Sequence, residues 1–417
     1  NSIVHIAVLF LCYPSCYGRG VDPRILVIPV VTSLIGWGTN ALAIRMLFQP
    51  LHRVGWRLLG WQGVLPANAE RMATISVRLM TARLLDVKSV FARVEPDRIS
   101  GLLSPILEKH AEEIVEEVLV ERFPKIWETL PNRVRNKARD RLRAEVPSVV
   151  NKLMEELRAD LGRYLDIESL VVNAFIRNRS LLNELFWRCG RREFVFIARS
   201  GLLFGCLFGM LQAVLWLFVQ PVWFLPLTGV LVGWATNWLA LRMVFRPLEP
   251  RKFGFIRWHG LFLRRQAEVS EAYATFFAER ILHPEALVNA VLRGPAADRI
   301  VMLLQRFVTQ AVDQASGSAR PFVQFAVGTD EWVSLKTDVS RRLAAVVPDE
   351  LERVHAYTEE ALGLKEELRG NLAGLPAAEF EQVLRPIFRE KESTLVAVGA
   401  MLGGMAGLLQ WILMGIV

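Results

Sequence analysis

The sequence predicts an all-α, polytopic membrane protein made of two tandem parallel repeats, each with two transmembrane helices flanking a cytoplasmic amphipathic helical domain. Three observations predict it. The 417 residues are 52% hydrophobic with a mean hydropathy of +0.29, too apolar for an ordinary soluble domain. A long apolar string occurs twice. Between the apolar runs, hydrophobic residues recur at helical spacing, and no alternating β pattern of useful length appears.

The spans come first. Crossing about 30 Å of hydrocarbon at 1.5 Å per residue takes about 20 residues. Four runs meet that length: Ile25 to Phe48, Phe194 to Val219, Trp223 to Phe245 and Thr394 to Val417. A fifth apolar run, Ile3 to Tyr13, is short, and reads as a trimmed span or a signal-like region. The expected organisation is 1–24, an N-terminal apolar segment and outer loop; 25–65, the first repeat span with an interfacial stretch; 66–190, the first cytoplasmic helical domain; 191–248, a transmembrane hairpin carrying the second repeat motif; 249–392, an interfacial stretch and the second cytoplasmic helical domain; and 393–417, the C-terminal span.

The repeat is visible in IPVVTSLIGWGTNALAIRMLFQPL, starting at Ile28, and LPLTGVLVGWATNWLALRMVFRPL, starting at Leu225, where more than half the positions match without a gap. Trp61 and Gly63 continue it as Trp258 and Gly260. It returns as Gly201, Gly205, Gly209 and Gln212 against Gly399, Gly403, Gly407 and Gln410. Glycine at every fourth residue suits close helix packing, and the G-x-G spacing of a nucleotide fingerprint is missing. Two spans per unit return the chain to its starting side, so the copies are expected to be parallel.

The segments between the spans read as amphipathic helices, with stripes such as Ala111, Ile114, Val115, Val118 and Leu119, or Ile300, Leu303, Leu304, Phe307 and Val308. Pro124, Pro131 and Pro147 should break or kink the first segment. Such stripes fit a self-packed bundle, a self-associating stalk, or a groove completed by lipid acyl chains.

Basic residues cluster beside the spans: Arg45, His52, Arg53 and Arg57; Arg188, Arg191, Arg192 and Arg199; Arg242, Arg246, Arg251, Lys252 and Arg257; Arg385, Arg389 and Lys391. The connector at Gln220 and Pro221 is uncharged, so both large polar segments are expected in the cytoplasm. The net charge of +8 is then a membrane-facing collar, and nucleic acid is not an expected partner. Cys189 and Cys206 are expected to stay reduced, whereas Cys12 and Cys16 could pair if they face outward.

Chemistry is sparse. The six histidines are scattered with no metal-ligand spacing, and no hydrolase, kinase or nucleotide-loop signature appears. No enzyme activity, metal or cofactor is expected. The repeated string itself carries the candidate site: Trp37, Thr39, Asn40 and Arg45 in the first copy, Trp234, Thr236, Asn237 and Arg242 in the second. Polar groups in a span cost a few kcal/mol on insertion scales, so each needs a partner, a water path or a ligand. Trp37, Asn40 and Ile44 should stack along one side of a helix. Arg45 can snorkel to the headgroups, and paired guanidinium forks suit a phosphate. The alternative is packing: Arg45 and Arg242 as interfacial anchors, Asn40 and Asn237 as bonds to neighbouring helices. The stretches after the spans, LHRVGWRLLGWQGVL and LEPRKFGFIRWHGLFL, have the composition of helices lying in the headgroup plane.

GWGTNALAIRMLFQPL with WQGVLP, DIESLVVNAFIRNRSLLNELFWRCGRREFVFIARSG, and LPAAEFEQVLRPIFREKESTLVAVGAMLGGMAGLLQ together resemble the YheB and YjiN-like bacterial membrane proteins, the domain-of-unknown-function family numbered 445. The second copy has HGLFLRRQ where the first has QGVLPANA, without its proline. The resemblance implies a bacterial inner-membrane location and brings no enzyme activity. The leading expectation is therefore a protein that binds or moves phospholipid or another anionic lipid. The alternatives are a scaffold recruiting partners, or forming a homo-oligomer, through its cytoplasmic helices, and a small-solute transporter or channel with Asn40 and Asn237 lining its path.

Overall fold

The computed structural model describes residues 27–55, 60–129, 131–216, 218, 223–253, 256–294, 296–316, 328–350 and 355–416. The expectations for Ile3 to Tyr13, for Cys12, Cys16 and Arg57, and for the connector at Gln220 and Pro221 lie outside these residues. So do those for the side chains of Arg251, Lys252, Arg257, Arg385, Arg389 and Lys391.

The described chain is almost wholly helical. Its elements are α1 (Val27–Phe48), α2 (Val64–Ala67), α3 (Ala69–Arg83), α4 (Val87–Phe91), α5 (Pro96–Arg122), α6 (Pro124–Thr129), α7 (Asn132–Ala159), α8 (Ile167–Arg177), α9 (Arg179–Trp216) and α10 (Phe224–Phe245). They continue with β1 (Arg251–Phe253), β2 (Ile256–Trp258), α11 (Leu261–Arg264), α12 (Gln266–Arg280), α13 (Pro284–Arg293), α14 (Ala297–Ser316), α15 (Thr329–Glu350), α16 (His355–Leu362), α17 (Leu364–Gly374) and α18 (Ala377–Ile416). Two compact units result: Asn1–Leu79 with Val172–Tyr273 and Arg369–Val417, and Met80–Val171 with Ala274–Leu368.

In the first unit α1 lies along α9 and α10 along α18. Glycine sets both contacts. A Cβ at Gly36 would collide with the Gly201 carbonyl, and one at Gly205 would meet the backbone of Thr32 and Ser33. In the other pair Gly229 and Gly233 meet the backbone of Gly403 and Gly399 in the same way. Without side chains in between, dispersion contacts form directly between backbones, the main attraction available to helices in lipid.

Both repeated strings end in a cis peptide bond, Gln49–Pro50 and Arg246–Pro247. Beyond these prolines the backbone departs from the expected headgroup-plane helices. Val54 pairs with Trp61 in an isolated antiparallel bridge, and β1 pairs with β2 with Arg251 opposite Trp258. Pro50 and Pro247 bar helix continuation, and Gly55, at φ 114°, turns the first arm back in a conformation few side chains tolerate. Gly63 N–H then donates to Pro50 O (2.9 Å) and Gly260 N–H to Pro247 O (3.1 Å), closing both loops before α2 and α11.

Two spans also reach further back than their apolar runs. α9 begins at Arg179, where Asn178 Oδ1 accepts from Ser180 N–H (3.2 Å) as a cap, and α18 begins just after Pro376. Each joins an amphipathic stem to a membrane span without a break.

The second unit is built on α5, α7, α14 and α15. Ala111, Ile114, Val118, Leu142, Val308, Trp332, Leu335, Val339 and Leu343 form a common core. Pro124 starts α6 and Pro131 precedes α7, but Pro147 sits inside α7 and does not end it. Losing a backbone bond inside a helix costs about 3 kcal/mol. Burial of Leu142, Val150, Met154 and Leu157 along the same helix offsets this.

Candidate functional site

The candidate residues divide between the two faces of α1 and α10. The inward faces carry the small polar groups. Asn40 is fully buried, and its Nδ2 donates to Ile197 O (2.7 Å) on α9. Thr39 Oγ1 donates to Gly36 O (3.1 Å) and Thr236 Oγ1 to Gly233 O (3.3 Å), each within its own helix. Thr32 Oγ1 donates to Gln212 Oε1 (3.2 Å), whose Nε2 donates to Thr228 Oγ1 (2.8 Å), linking α1, α9 and α10. These hydroxyls and amides are engaged by protein at the glycine crossings.

Within this set one atom is left over. Asn40 Oδ1 is buried without a hydrogen-bond partner. It adjoins a cavity of about 40 Å³ that Asn237, Glu193, Leu47, Phe186 and Phe262 also line. About 10–15 Å³ accommodates one water, so the space holds a few waters.

The outward faces carry the rings and the cations. Trp37 and Trp234 are each 47% exposed, and Arg45 and Arg242 are exposed. Trp37 and Asn40 therefore do not share a surface, as the helical spacing suggested: the boundary between the packed and open faces runs between them. In the second copy the outward residues form a ladder. Trp234 stacks on Trp238 with ring centroids 5.9 Å apart and planes 7° off parallel, and the Arg242 guanidinium lies 5.0 Å from the Trp238 centroid. The first copy has Ala41 at the place of Trp238, so Arg45 has no ring there to lie on.

Sequence reasoning missed Glu193 and Arg265. Glu193 is 4% exposed, and both its carboxylate oxygens accept from Arg265 Nη1, at 2.7 and 2.9 Å. Arg265 Nε also donates to Glu268 (3.0 Å), which meets Arg192 at 3.0 Å. Burial acts to lower the Arg265 pKa, but hydrogen bonds and charge from Glu193 and Glu268 outweigh it and raise the value, while Arg265 holds Glu268 below the usual carboxylate range. The available signal was an acid directly abutting the apolar run Phe194 to Ile197.

The second unit contains a larger cavity, about 190 Å³. α5, α7, α14 and α15 supply most of its wall, with Leu103, Val149, Leu304 and Leu343 among the lining side chains. Glu145 and Thr358 are the polar side chains among them. The sequence showed the stripes that form this wall, not the gap between them.

Among the described residues no group of three His, Cys, Asp or Glu side chains is placed to hold a metal ion. His110 Nε2 contacts Glu350 Oε1 at 3.1 Å in a half-buried pair between α5 and α15.

Four helices, Ile28–Phe48, Arg179–Trp216, Phe224–Phe245 and Glu392–Ile412, are long and apolar enough to cross a bilayer. They define an all-α membrane protein. No family model matches the chain. It is similar to a UPF0754 membrane protein of Synechococcus elongatus, 25% identical over 92% of this chain and 95% of that protein, and to one of a Synechococcus sp. strain at the same identity and coverage. A UPF0754 membrane protein of Bacillus pumilus is 27% identical over 30% of this chain and 34% of its own length.

Proposed function

We propose that the chain is a non-enzymatic bacterial inner-membrane protein that binds or moves phospholipid or another anionic lipid, with its large helical segments in the cytoplasm. The ladder of Trp234, Trp238 and Arg242 carries this reading. It sits on the open face of an apolar helix with the cation in the last turn, where a span meets the headgroups. The stacked ring orients the guanidinium while leaving its fork for phosphate oxygens, a charge-assisted contact stronger than a neutral hydrogen bond. Arg45 and Trp37 offer the same chemistry in simpler form on α1.

Two tandem copies account for the shared arrangement. Besides the matched glycine crossings, Gln62 Nε2 donates to Leu51 O (2.8 Å) where His259 Nε2 meets Leu248 O (3.1 Å). The two parallel repeats would present two headgroup sites at the same depth.

Native mass spectrometry of protein extracted from anionic bilayers tests the proposal. The wild type should retain anionic phospholipid, and Arg45→Ala with Arg242→Ala should reduce that occupancy at least threefold. Unchanged occupancy would refute the site. A second reading, a small-solute path, is favoured by the convergence of Asn40 and Asn237 on one cavity. It requires solute flux into proteoliposomes that Asn→Leu at both positions abolishes.

A further inference from the structure

We infer that Arg199 on α9 holds the phosphate of an anionic phospholipid, at a site that the first repeat carries and the second lacks. The inference rests on the lipid-binding reading and adds to it a site apart from Arg45 and Arg242. Arg199 interrupts an apolar run, with Phe194 to Ala198 before it and Leu202 to Phe204 soon after. It is exposed, and so are Val195, Leu202 and Leu203, which lie three or four residues away. Residues at that spacing share a helix side, so the guanidinium stands among hydrocarbon side chains on the outward surface of α9. A cation so placed costs a few kcal/mol on insertion scales, and asks for an anion or water to meet it.

The rest of the chain does not supply that anion. Among the described residues no ion pair or hydrogen bond engages the Arg199 guanidinium. The arginines that precede it on the same side of the helix are both paired, Arg188 with Glu184 (2.7 Å) and Arg192 with Glu268 (3.0 Å). Of the three, the one that enters the apolar surface is the one that keeps its fork free. Beyond it Leu203, Cys206 and Met210 continue the same line at helical spacing, with Leu203 61% exposed. An acyl chain can lie along this line while two phosphate oxygens take the fork. An anionic phospholipid offers both groups. Inorganic phosphate has no chain to lay on the leucine, and a zwitterionic lipid brings its own cation beside the guanidinium.

The glycines carry the comparison to the second copy. Gly201, Gly205 and Gly209 match Gly399, Gly403 and Gly407, which sets Ala397 against Arg199, Glu390 against Arg192 and Met401 against Leu203. Met401 is 59% exposed, so α18 presents the apolar surface without the cation.

The test places the photoreactive residue p-benzoylphenylalanine at Leu203 of the full chain, in nanodiscs of equal phosphatidylglycerol and phosphatidylcholine, and identifies the cross-linked lipid by mass. Phosphatidylglycerol should exceed phosphatidylcholine at least threefold, and Arg199→Gln should bring the ratio to about one. The same reporter at Met401 should show no preference in the wild type and should acquire one in Ala397→Arg. Arg199 and Ala397 are both exposed, so these variants leave the glycine crossings untouched. Arg45→Ala with Arg242→Ala should leave the Leu203 ratio unchanged, so this site and those two fail or stand separately. Inorganic phosphate, compared with chloride at equal ionic strength, should leave it unchanged as well. Equal cross-linking of the two lipids at Leu203, a preference that survives Arg199→Gln, no gain in Ala397→Arg, or loss of the preference to inorganic phosphate would each overturn the inference.

Discussion

Glu193 and Arg265 show what one buried charge demands of its neighbours. Removing a carboxylate from water costs several kcal/mol, and the arginine fork returns that only while both stay in register. Arg265→Ala leaves Glu193 buried and unpaired, and should cost about 3–5 kcal/mol in unfolding from mixed micelles. Glu193→Leu with Arg265→Leu should recover most of the loss, and a double variant as unstable as the single one would show that the pair does more than neutralise itself. Asp166 is a milder case. Its carboxylate accepts from Ser169 Oγ (2.7 Å) and Ser169 N–H (3.0 Å) at the start of α8, and these bonds hold its pKa below the usual aspartate value. A depressed folded pKa means stability that is present above about pH 4, the unfolded value, and is lost as pH falls through the lower folded one. Asp166→Ala should therefore cost about 1 kcal/mol at pH 7, with the difference from wild type shrinking below the ordinary aspartate range. A difference independent of pH would show that the cap acts through something other than its charge.

At the scale of elements, what could be read in the sequence tracked the strength of each periodic signal. The spans were legible because an uninterrupted apolar run has few alternatives, and the helical stripes of α5 and α14 were legible because burial recurs at every third or fourth residue. The starts of α9 and α18 were not, since their stems are charged and amphipathic and only the caps at Asn178 and Pro376 mark them. The stretches after α1 and α10 misled because their aromatic and basic composition suits a bilayer surface in any conformation, whereas Pro50, Pro247 and Gly55 decide the backbone. The division of the candidate site into two faces was legible in part: Thr39 and Asn40 are adjacent and go inward together, but which side faces lipid depends on where α9 and α18 pack. The glycines make that packing testable. Gly403→Leu would push a side chain into the Gly229 backbone and should destabilise by about 1–3 kcal/mol through overpacking. Gly38→Ala meets nothing within 4 Å and should be neutral or slightly stabilising. Thermal unfolding in detergent distinguishes them, and equal effects at both positions would remove the crossings from the account of stability.

For the whole molecule, the decisive matter is which surfaces meet lipid and which side each end occupies. Leu203, Leu207 and Leu211 on α9 and Met401, Met405 and Leu408 on α18 stand between 47% and 61% exposed, an outward apolar surface that water would penalise and hydrocarbon accommodates. At the other extreme α7 carries Arg133, Lys137 and Arg141 exposed along one side, which no bilayer interior admits. Cationic residues beside spans are preferentially retained in the cytoplasm, so on the proposed orientation the collar of Arg45, Arg188, Arg191, Arg192, Arg242 and Arg246 would set the direction of all four helices. On that proposal Phe218, 81% exposed, would lie on the opposite side. A cysteine-free chain given back one thiol at a time tests this in intact spheroplasts treated with a membrane-impermeant maleimide. Phe218→Cys should label before lysis, and Lys137→Cys should label only after it. The reverse pattern would invert the protein and remove the cytoplasmic assignment, and labelling of both before lysis would place α7 outside as well, against a collar that holds its flanking spans.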